Sequence, residues 1–426
     1  MSLLPRPDTP VKIALIGTGN RARTIYRPLF AAMAPWVEVV AVYDPVAEHA
    51  GQMGEELGVP AYGDIHALVS DRPMEAALIV TPVPSHYALS VYMSSHGIHN
   101  HCETSWCSTV AQGRAMITAA RENGVVARVG ENFFRFSIDR FVQQLDASGA
   151  IGRIGRIFSY ADHTGYHNNS RWIRFAGARP LWAQAVEHRM ATPAFRSLPH
   201  RFHQSEQFRA HFFQFPGDLL VVDQAANIKG FLGRLARPGY TEWQGERGTL
   251  VYQSAPESQN AGFGRAQGQV RRAGDAGTDA EYGVETIHSL ADEVAPMVQE
   301  VVDGAWQRTY AEVAGGLIEY VNPFPLADSP GNGRPDYGPS VVDHVVDFAL
   351  AVRGLRPSEF DEEDALASLM MDVACRESAR QEGRRVALPV DHDTETDAAV
   401  RENLRRQIGV DPMDVEGILG VSFPRP

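Results

Sequence analysis

The first strongly apolar run of the chain is Val11 to Ile16 (VKIALI), and it is followed at once by Gly17-x-Gly19-x-x-Ala22, after which the pattern reads as helix until Pro28 disturbs it. The alternation then repeats. Val37 to Tyr43 is a β-branched run ending in Asp44, Ala47 to Leu57 reads as helix, and Asp64 to Ser70 reads as a short helix. Glu75 to Val80 is an apolar strand ending in Thr81-Pro82, followed by helix Ser85 to His96, strand Ile98 to Cys102, helix Thr109 to Asn123 and strand Val125 to Gly130. Strands alternating with helices predict a parallel sheet covered on both faces. Such sheets bind ligands at the carboxyl ends of their strands. The residues to inspect are therefore those just after each strand.

From Ser137 the texture changes. A helix over Ile138 to Ala147 leads to Gly152 and Gly155, which precede a strand. Phe208 to Phe215, Leu219 to Ile228 and Thr249 to Gln253 read as strands joined by turns at Pro216-Gly217-Asp218 and around Gly245. Consecutive strands with short turns predict an antiparallel sheet and an α+β domain. Gly262 to Gly277 and residues 326–338 read as loops, Val341 to Val352 and Asp364 to Gln381 as amphipathic helices, and Asp397 to Arg406 as a helix within an acidic tail. The predicted division is 1–132, 133–338, a closing pair of helices over 339–390, and a tail over 391–426.

Composition narrows the function without naming it. A length of 426 residues suffices for two domains with a substantial core, and 44% hydrophobic with 21% charged residues describes a globular protein. A formal charge of −13 argues against a nucleic-acid surface, and the arginine-bearing stretch Arg265 to Arg272 is too short to reverse it. No apolar stretch approaches the ~20 residues that cross a bilayer, and the segment MSLLPRPDTP lacks a signal-peptide core. Cys102, Cys107 and Cys375 form no even framework or zinc spacing, so a cytoplasmic location is expected. Lys12 and Lys229 are the only lysines.

The glycine loop carries the first piece of chemistry. Gly17 permits a sharp change of direction, Gly19 has no Cβ to keep a pyrophosphate from the backbone, and Ala22 lets the following helix pack close on the strand. The helix N-terminus offers N–H groups and partial positive charge to phosphates. Asp44 ends the second strand, where a carboxylate accepts hydrogen bonds from a ribose diol. It also repels a 2′-phosphate, so NAD is favoured over NADP, although Arg21 and Arg23 temper the preference. His99 and His101 share one face of a strand, and His200-x-x-His203 is read as part of a loop. No carboxylate or cysteine completes a metal set convincingly, and strand-end histidines near a cofactor are the preferred reading.

Taken together, these residues resemble the glucose-fructose oxidoreductase, inositol dehydrogenase and MocA family. The likeness rests on the glycine loop, Asp44, Thr81 to His86, Val129-Gly130-Glu131-Asn132 with Arg135, the Gly152-x-Ile154-Gly155 turn, and a closing helix-helix-Leu388-Pro389 stretch. The resemblance implies an α/β Rossmann domain with a parallel sheet, and a C-terminal α+β domain with a large, mostly antiparallel sheet. That second domain would carry the substrate and often a homo-oligomer interface. Gly17, Gly19, Asn20 and Arg21 would hold the pyrophosphate, Asp44 the adenosine ribose, and Thr81, Pro82, His86, Glu103 and Asn132 the nicotinamide half.

Members of the family usually pair Glu-Lys-Pro after the fifth strand with an Asp four residues before a His, forming a proton relay. Here the positions read Glu103-Thr104-Ser105 and Gln184-Ala185-Val186-Glu187-His188, so only the histidine survives. Taking a hydride from a secondary alcohol requires a base for the hydroxyl proton, and imidazole is suited to it. His188 is therefore the leading acid/base candidate. The stretch Asp162 to Trp172 mixes polar groups and aromatics as sugar sites do, with Tyr166, His167 and Arg171 foremost; its bland reading is a solvated loop.

The expected function is an NAD-dependent oxidoreductase acting on a small carbohydrate, cyclitol or polyol. An alternative is a redox-neutral glycosidase or lyase with tightly held NAD, which Glu103, Glu131-Asn132, Tyr166-His167 and His188 also resemble. A third is a nucleotide-binding protein whose site has decayed.

Overall fold

The computed structural model describes residues 4–160, 165–198, 201–226, 240–254, 266–273, 277–279, 284–286, 291–331, 334–390 and 394–423. It divides into two compact units. The first comprises residues 1–132, 337–373 and 390–426, and the second 133–336 and 374–389.

In the first unit, β1 (Val11–Ile16), β2 (Val37–Tyr43), β3 (Ala61–Tyr62), β4 (Ala76–Ile79), β5 (His99–Cys102) and β6 (Ala127–Val129) form a parallel sheet in the order β3-β2-β1-β4-β5-β6. Helices α1 (Arg27–Met33), α2 (Ala47–Leu57), α3 (Ile65–Asp71), α4 (Val83–Ser95) and α5 (Val110–Glu122) connect the strands. The sheet core is dry: Ile13, Leu15, Ile16, Leu78 and Ile79 are almost wholly buried, each contributing about 1.5–3 kcal/mol relative to exposure. Strand order reverses at β1, which lies between β2 and β4, so the crevice above β1 and β4 is the place where such sheets hold ligands.

Pro28 does not end the first helix. A π-helical segment, Ala22–Tyr26, precedes α1, and Pro28 falls in the first turn of α1, where a missing N–H costs little.

The second unit is built on α6 (Ser137–Ser148), β7 (Ile154–Tyr160), α7 (Gly165–Ala176), β8 (Trp182–Leu198), β9 (Arg201–Gln214), β10 (Leu220–Ala226), β11 (Tyr240–Gly245), β12 (Gly248–Ser254), β13 (Ala266–Ala273), β14 (Gly277–Asp279), β15 (Val284–Thr286), β16 (Ala291–Val302), β17 (Ala305–Val313) and β18 (Gly316–Val321). With β19 (Val386–Ala387), eleven strands make one sheet in the order β18-β17-β16-β13-β12-β11-β7-β10-β9-β8-β19. It is antiparallel except for β7 beside β10. The fully buried Trp172, Trp243, Phe213 and Phe215 anchor its core.

The structure corrects several expectations. The polar stretch entering Trp172 is a helix, α7, rather than a solvated loop, because residues four apart fall on one face: Asn168 and Trp172 both reach Asp223. Residues 182–198 form a long strand whose polar positions concealed its alternation, and His203 lies in β9 rather than in a loop. Within the loop expected over Gly262 to Gly277, residues 266–273 pair with both β12 and β16, so ladder bonds to two neighbours outweigh a glycine- and arginine-rich composition. Asp162, His163, Thr164, His200 and Lys229 lie outside the described residues.

The remaining helices are α8 (Tyr337–Val352), α9 (Glu362–Arg380), α10 (Glu395–Ile408) and α11 (Val415–Leu419). Residues set apart above as a tail belong to the first unit. Asp397 Oδ1 accepts the Val110 N–H at the start of α5 (2.9 Å), and Pro412 O accepts from Gln112 Nε2 (2.8 Å). Among the described residues no helix is long and apolar enough to cross a membrane.

Candidate active site

In the first unit the candidate residues gather at the carboxyl ends of the strands. Gly17 adopts φ +91°, and a Cβ there would lie 2.5 Å from Val80 O and 2.8 Å from Thr81 Cγ2. It is glycine because the segment leaving β4, Val80 and Thr81, passes too close for any other residue. Gly19 is different: a Cβ there would meet nothing within 4 Å. No protein atom fills the space beside Gly19, as is also true of Gly51 and Gly155, so its candidacy rests on its place in the turn that follows β1. Asn20 beside it is exposed, and its carbonyl accepts from Thr24 Oγ1 at 2.8 Å.

Asp44 is buried at 2% exposure. Its Oδ2 accepts from both the N–H and the Oγ1 of Thr18 at 3.0 Å, and Oδ1 accepts from the Val46 N–H at 3.0 Å. The carboxylate staples the glycine loop to the end of β2 and so spends three of its roughly four acceptor positions inside the protein.

Arg21, expected at the pyrophosphate, is committed elsewhere. Its Nε donates to Glu103 Oε1 at 2.7 Å, and Nη1 donates to the Tyr337 hydroxyl. Tyr26 OH donates to the same Glu103 oxygen at 2.7 Å, and the Thr104 N–H to Oε2 at 3.0 Å. Burial alone would raise the Glu103 carboxyl, but Arg21, Tyr26 and the Thr104 amide overcome it and hold the group below the usual carboxylate range. Burial, then Glu103, pushes the Tyr26 phenol well up.

Thr81 Oγ1 accepts from Ser85 Oγ at 2.8 Å, and Pro82 stands at the N-cap of α4. His86 has no exposed surface, and its two ring nitrogens each lie 2.8 Å from a backbone carbonyl oxygen, Nδ1 from Ser105 and Nε2 from Thr81. Asn132 is buried and donates to Ser340 Oγ at 3.2 Å. His99 Nδ1 accepts the Val126 N–H at 2.9 Å, and His101 is buried, stacked on His344 with Nε2 to Nδ1 at 3.1 Å. These two histidines therefore serve packing inside the unit rather than an open strand end. Among the described residues no group of His, Cys, Asp and Glu side chains could hold a metal ion.

In the second unit, α7 presents Tyr166, His167 and Arg171. His167 is buried and stacks on Phe133 at 4.1 Å with rings 6° from parallel, and Tyr166 tilts against His167 at 4.3 Å. Arg171, expected to fix substrate, is buried in an ion pair instead: Nε donates to Asp139 Oδ1 at 2.9 Å, with Trp172 and Trp243 flanking the guanidinium. Burial pushes the Asp139 carboxyl up against the pull of Arg171.

Sequence reasoning missed Asp223. It accepts from Asn168 Nδ2 (3.1 Å) and Trp172 Nε1 (3.3 Å), and burial pushes it up to about 6 while those donors pull it back. Its neighbour across the strand pair, His211, is pushed down to about 3 by burial, with Arg209 and Arg376 adding to the effect. No local motif announces either residue, since each gains its meaning from strand pairing.

His188 stands exposed on β8 opposite Phe208, and Gln184 Nε2 donates to Gly383 O at 2.7 Å. Four residues of extended strand span about 13 Å. Gln184 and His188 therefore point the same way without touching, and the segment offers no close relay pair.

Residues 11–131 match the model of the GFO_IDH_MocA family, described as an oxidoreductase family with an NAD-binding Rossmann fold. The chain is 31% identical over 145 residues to D-apiose dehydrogenase of Paraburkholderia graminis, covering 33% of this chain and 37% of that protein. It is 24% identical over 169 residues to 2,7-anhydro-N-acetylneuraminate hydratase of Mediterraneibacter gnavus, covering 40% and 44%. It is 26% identical over 121 residues to the NAD(+) scyllo-inositol 2-dehydrogenase of Bacillus subtilis, covering 28% and 35%. The match thus spans less than half the length of each of these relatives. In fold, the chain is similar to levoglucosan dehydrogenase in complex with NADH and levoglucosan (TM-score 0.63, 18% identity, 90% and 100% coverage). It is equally similar to an NAD binding oxidoreductase from Klebsiella pneumoniae (TM-score 0.64, 19% identity, 90% and 100% coverage).

Proposed function

As a member of the Gfo/Idh/MocA oxidoreductase family, with residues 11–131 carrying the match, this chain acts, we propose, as an NAD-dependent oxidoreductase on a hydroxyl of a sugar, cyclitol or related polyol. The observation that carries the reading is Gly19, whose missing side chain leaves open space at the start of a helix that follows a parallel strand. A phosphate group fits that opening, taking hydrogen bonds from the backbone and favourable charge from the helix end. Asp44, locked in place by Thr18, sets a negative charge against a 2′-phosphate and favours NAD over NADP. Thr81, Pro82, His86, Glu103 and Asn132 frame the nicotinamide half.

Bound NAD would supply the hydride acceptor. The carbinol C–H bond breaks, a carbonyl forms, and the hydroxyl proton must go to a base of the protein. Thr104 and Gln184 cannot take it. His188 is the proposed acceptor, with Tyr166 and His167 proposed to hold the substrate. Support for His188 is chemical: it is an accessible imidazole and the surviving member of the relay the family uses. A carbohydrate-like substrate is supported by the names of relatives, D-apiose dehydrogenase and scyllo-inositol 2-dehydrogenase among them. A homo-oligomer is inferred from the family resemblance alone, and light scattering tests it directly.

The test is a polyol panel with NAD, reading growth of the NADH absorbance band, with His188→Ala alongside. Turnover on a polyol that falls about 10²-fold or more in the variant, without loss of fold, supports the assignment. Unchanged turnover removes His188 from it.

The relative named as a hydratase favours keeping one second reading, redox-neutral chemistry with NAD regenerated in each cycle. Product formation without net NADH would select it.

A further inference from the structure

His86 poses a hydrogen-bonding problem with few solutions. Both ring nitrogens lie 2.8 Å from carbonyl oxygens, Ser105 O and Thr81 O, and the ring is fully buried. A carbonyl oxygen only accepts. A neutral imidazole carries one N–H and one bare lone pair, so either tautomer leaves a nitrogen and an oxygen facing each other lone pair to lone pair. The doubly protonated ring satisfies both contacts.

Burial, the largest influence, lowers the ring's proton affinity below the ordinary imidazole value, and the two carbonyls and Glu103 recover only part of it. The second proton follows from the geometry, because neither neutral tautomer satisfies both carbonyl contacts. Glu103, at the end of β5, is the charged group acting on His86, and it is itself held ionised by Arg21 and Tyr26. Glu103 is already paired with Arg21, so its pull on His86 is a partial offset to burial rather than a dedicated counter-ion.

We propose that His86 is a buried imidazolium that ties the loop after β4 to the loop after β5, placing a permanent positive charge at the carboxyl end of the parallel sheet. The charge comes from α4 in a chain whose Thr104 occupies the position where the family resemblance places a lysine. His86 is a positioning residue on this account. It has a second consequence that rests on the NAD reading: a fixed cation disfavours the positively charged oxidised nicotinamide relative to the neutral reduced ring.

The first arm of the test needs no cofactor. In the full chain labelled with nitrogen-15 histidine, long-range proton–nitrogen spectra should show both His86 ring nitrogens with protonated shifts throughout the neutral pH range. One nitrogen at a bare-lone-pair shift at neutral pH, or a ring rotated so that carbon faces a carbonyl, overturns the imidazolium. The second arm uses His86→Gln, whose amide retains two N–H donors and no charge. The ratio of NAD+ to NADH affinity should rise by about tenfold in the variant, the scale of one screened charge in a partly buried site. An unchanged ratio overturns the electrostatic consequence. If the native chain binds neither nucleotide, the NAD reading fails, and the spectra still decide the charge on His86.

Discussion

Arg21 Nε donates to Glu103 Oε1 across 2.7 Å, joining the glycine loop to the end of β5 through an ion pair whose carboxylate is buried and whose guanidinium is partly exposed. The same carboxylate oxygen accepts from Tyr26 OH, so one residue organises the loop, the π-helical turn and the strand end.

Removing the cation should expose this arrangement. Arg21→Met leaves a buried carboxylate without its partly exposed partner and is expected to cost about 1–3 kcal/mol at neutral pH. Glu103 has a depressed folded pKa, so its contribution is present above the ordinary value of 4.5 and is lost as pH falls through the lower folded value. The gap between variant and native chain should therefore narrow in acid, where Glu103 is protonated in both. Chemical denaturation at several pH values measures it, and a constant gap would contradict the pairing.

Asp223 gives the opposite pH signature. Its folded pKa is raised to about 6 from 3.8, so the folded state holds the proton more tightly and stability falls as pH rises through that window, by roughly 3 kcal/mol in total. Asp223→Asn should flatten the dependence, leaving the variant more stable than the native chain at neutral pH and no better in strong acid. Parallel melting curves against pH would exclude this.

Gly17 and Gly19 should separate fold from function. Gly17→Ala drives a Cβ to 2.5 Å from Val80 O at positive φ, and is expected to destabilise the chain by about 2 kcal/mol or more. Gly19→Ala meets open space, so melting should change by less than about 1 kcal/mol while dinucleotide affinity drops at least about tenfold. Calorimetry of folding and of nucleotide binding reads both; a Gly19→Ala variant with native affinity would sink the phosphate assignment.

Asp397 caps a helix it does not belong to. Its carboxylate accepts the Val110 N–H that opens α5, so Asp397→Ala should destabilise the first unit by about 1 kcal/mol. Faster hydrogen exchange at the Val110 amide, with exchange in the second-unit sheet unchanged, is the expected result.

Much of the first unit was legible in the chain because its signals are local. A β-branched run, a glycine turn and a helical period each lie within a few consecutive residues, and the alternation of strand and helix needs no distant partner to be read. Gly17, Gly19 and Asp44 stand out as candidates on that basis. The second unit was harder: β8 and β13 are polar or glycine-rich segments that become strands because long ladders flank them, and the helical form of α7 was hidden by polar residues, among them Asn168, that turn to a buried carboxylate.

The sequence alone determined the order of elements at the start of the chain, the glycine loop, the scarcity of lysine and the surviving His188. It could not decide what each polar side chain is spent on. That Asp44 staples a loop, that Arg21 answers Glu103, that Arg171 answers Asp139, and that His86 bridges two carbonyls follow from which groups folding brings within hydrogen-bond distance. Such distances depend on strand pairing and helix packing between residues tens or hundreds of positions apart, and no local pattern encodes them.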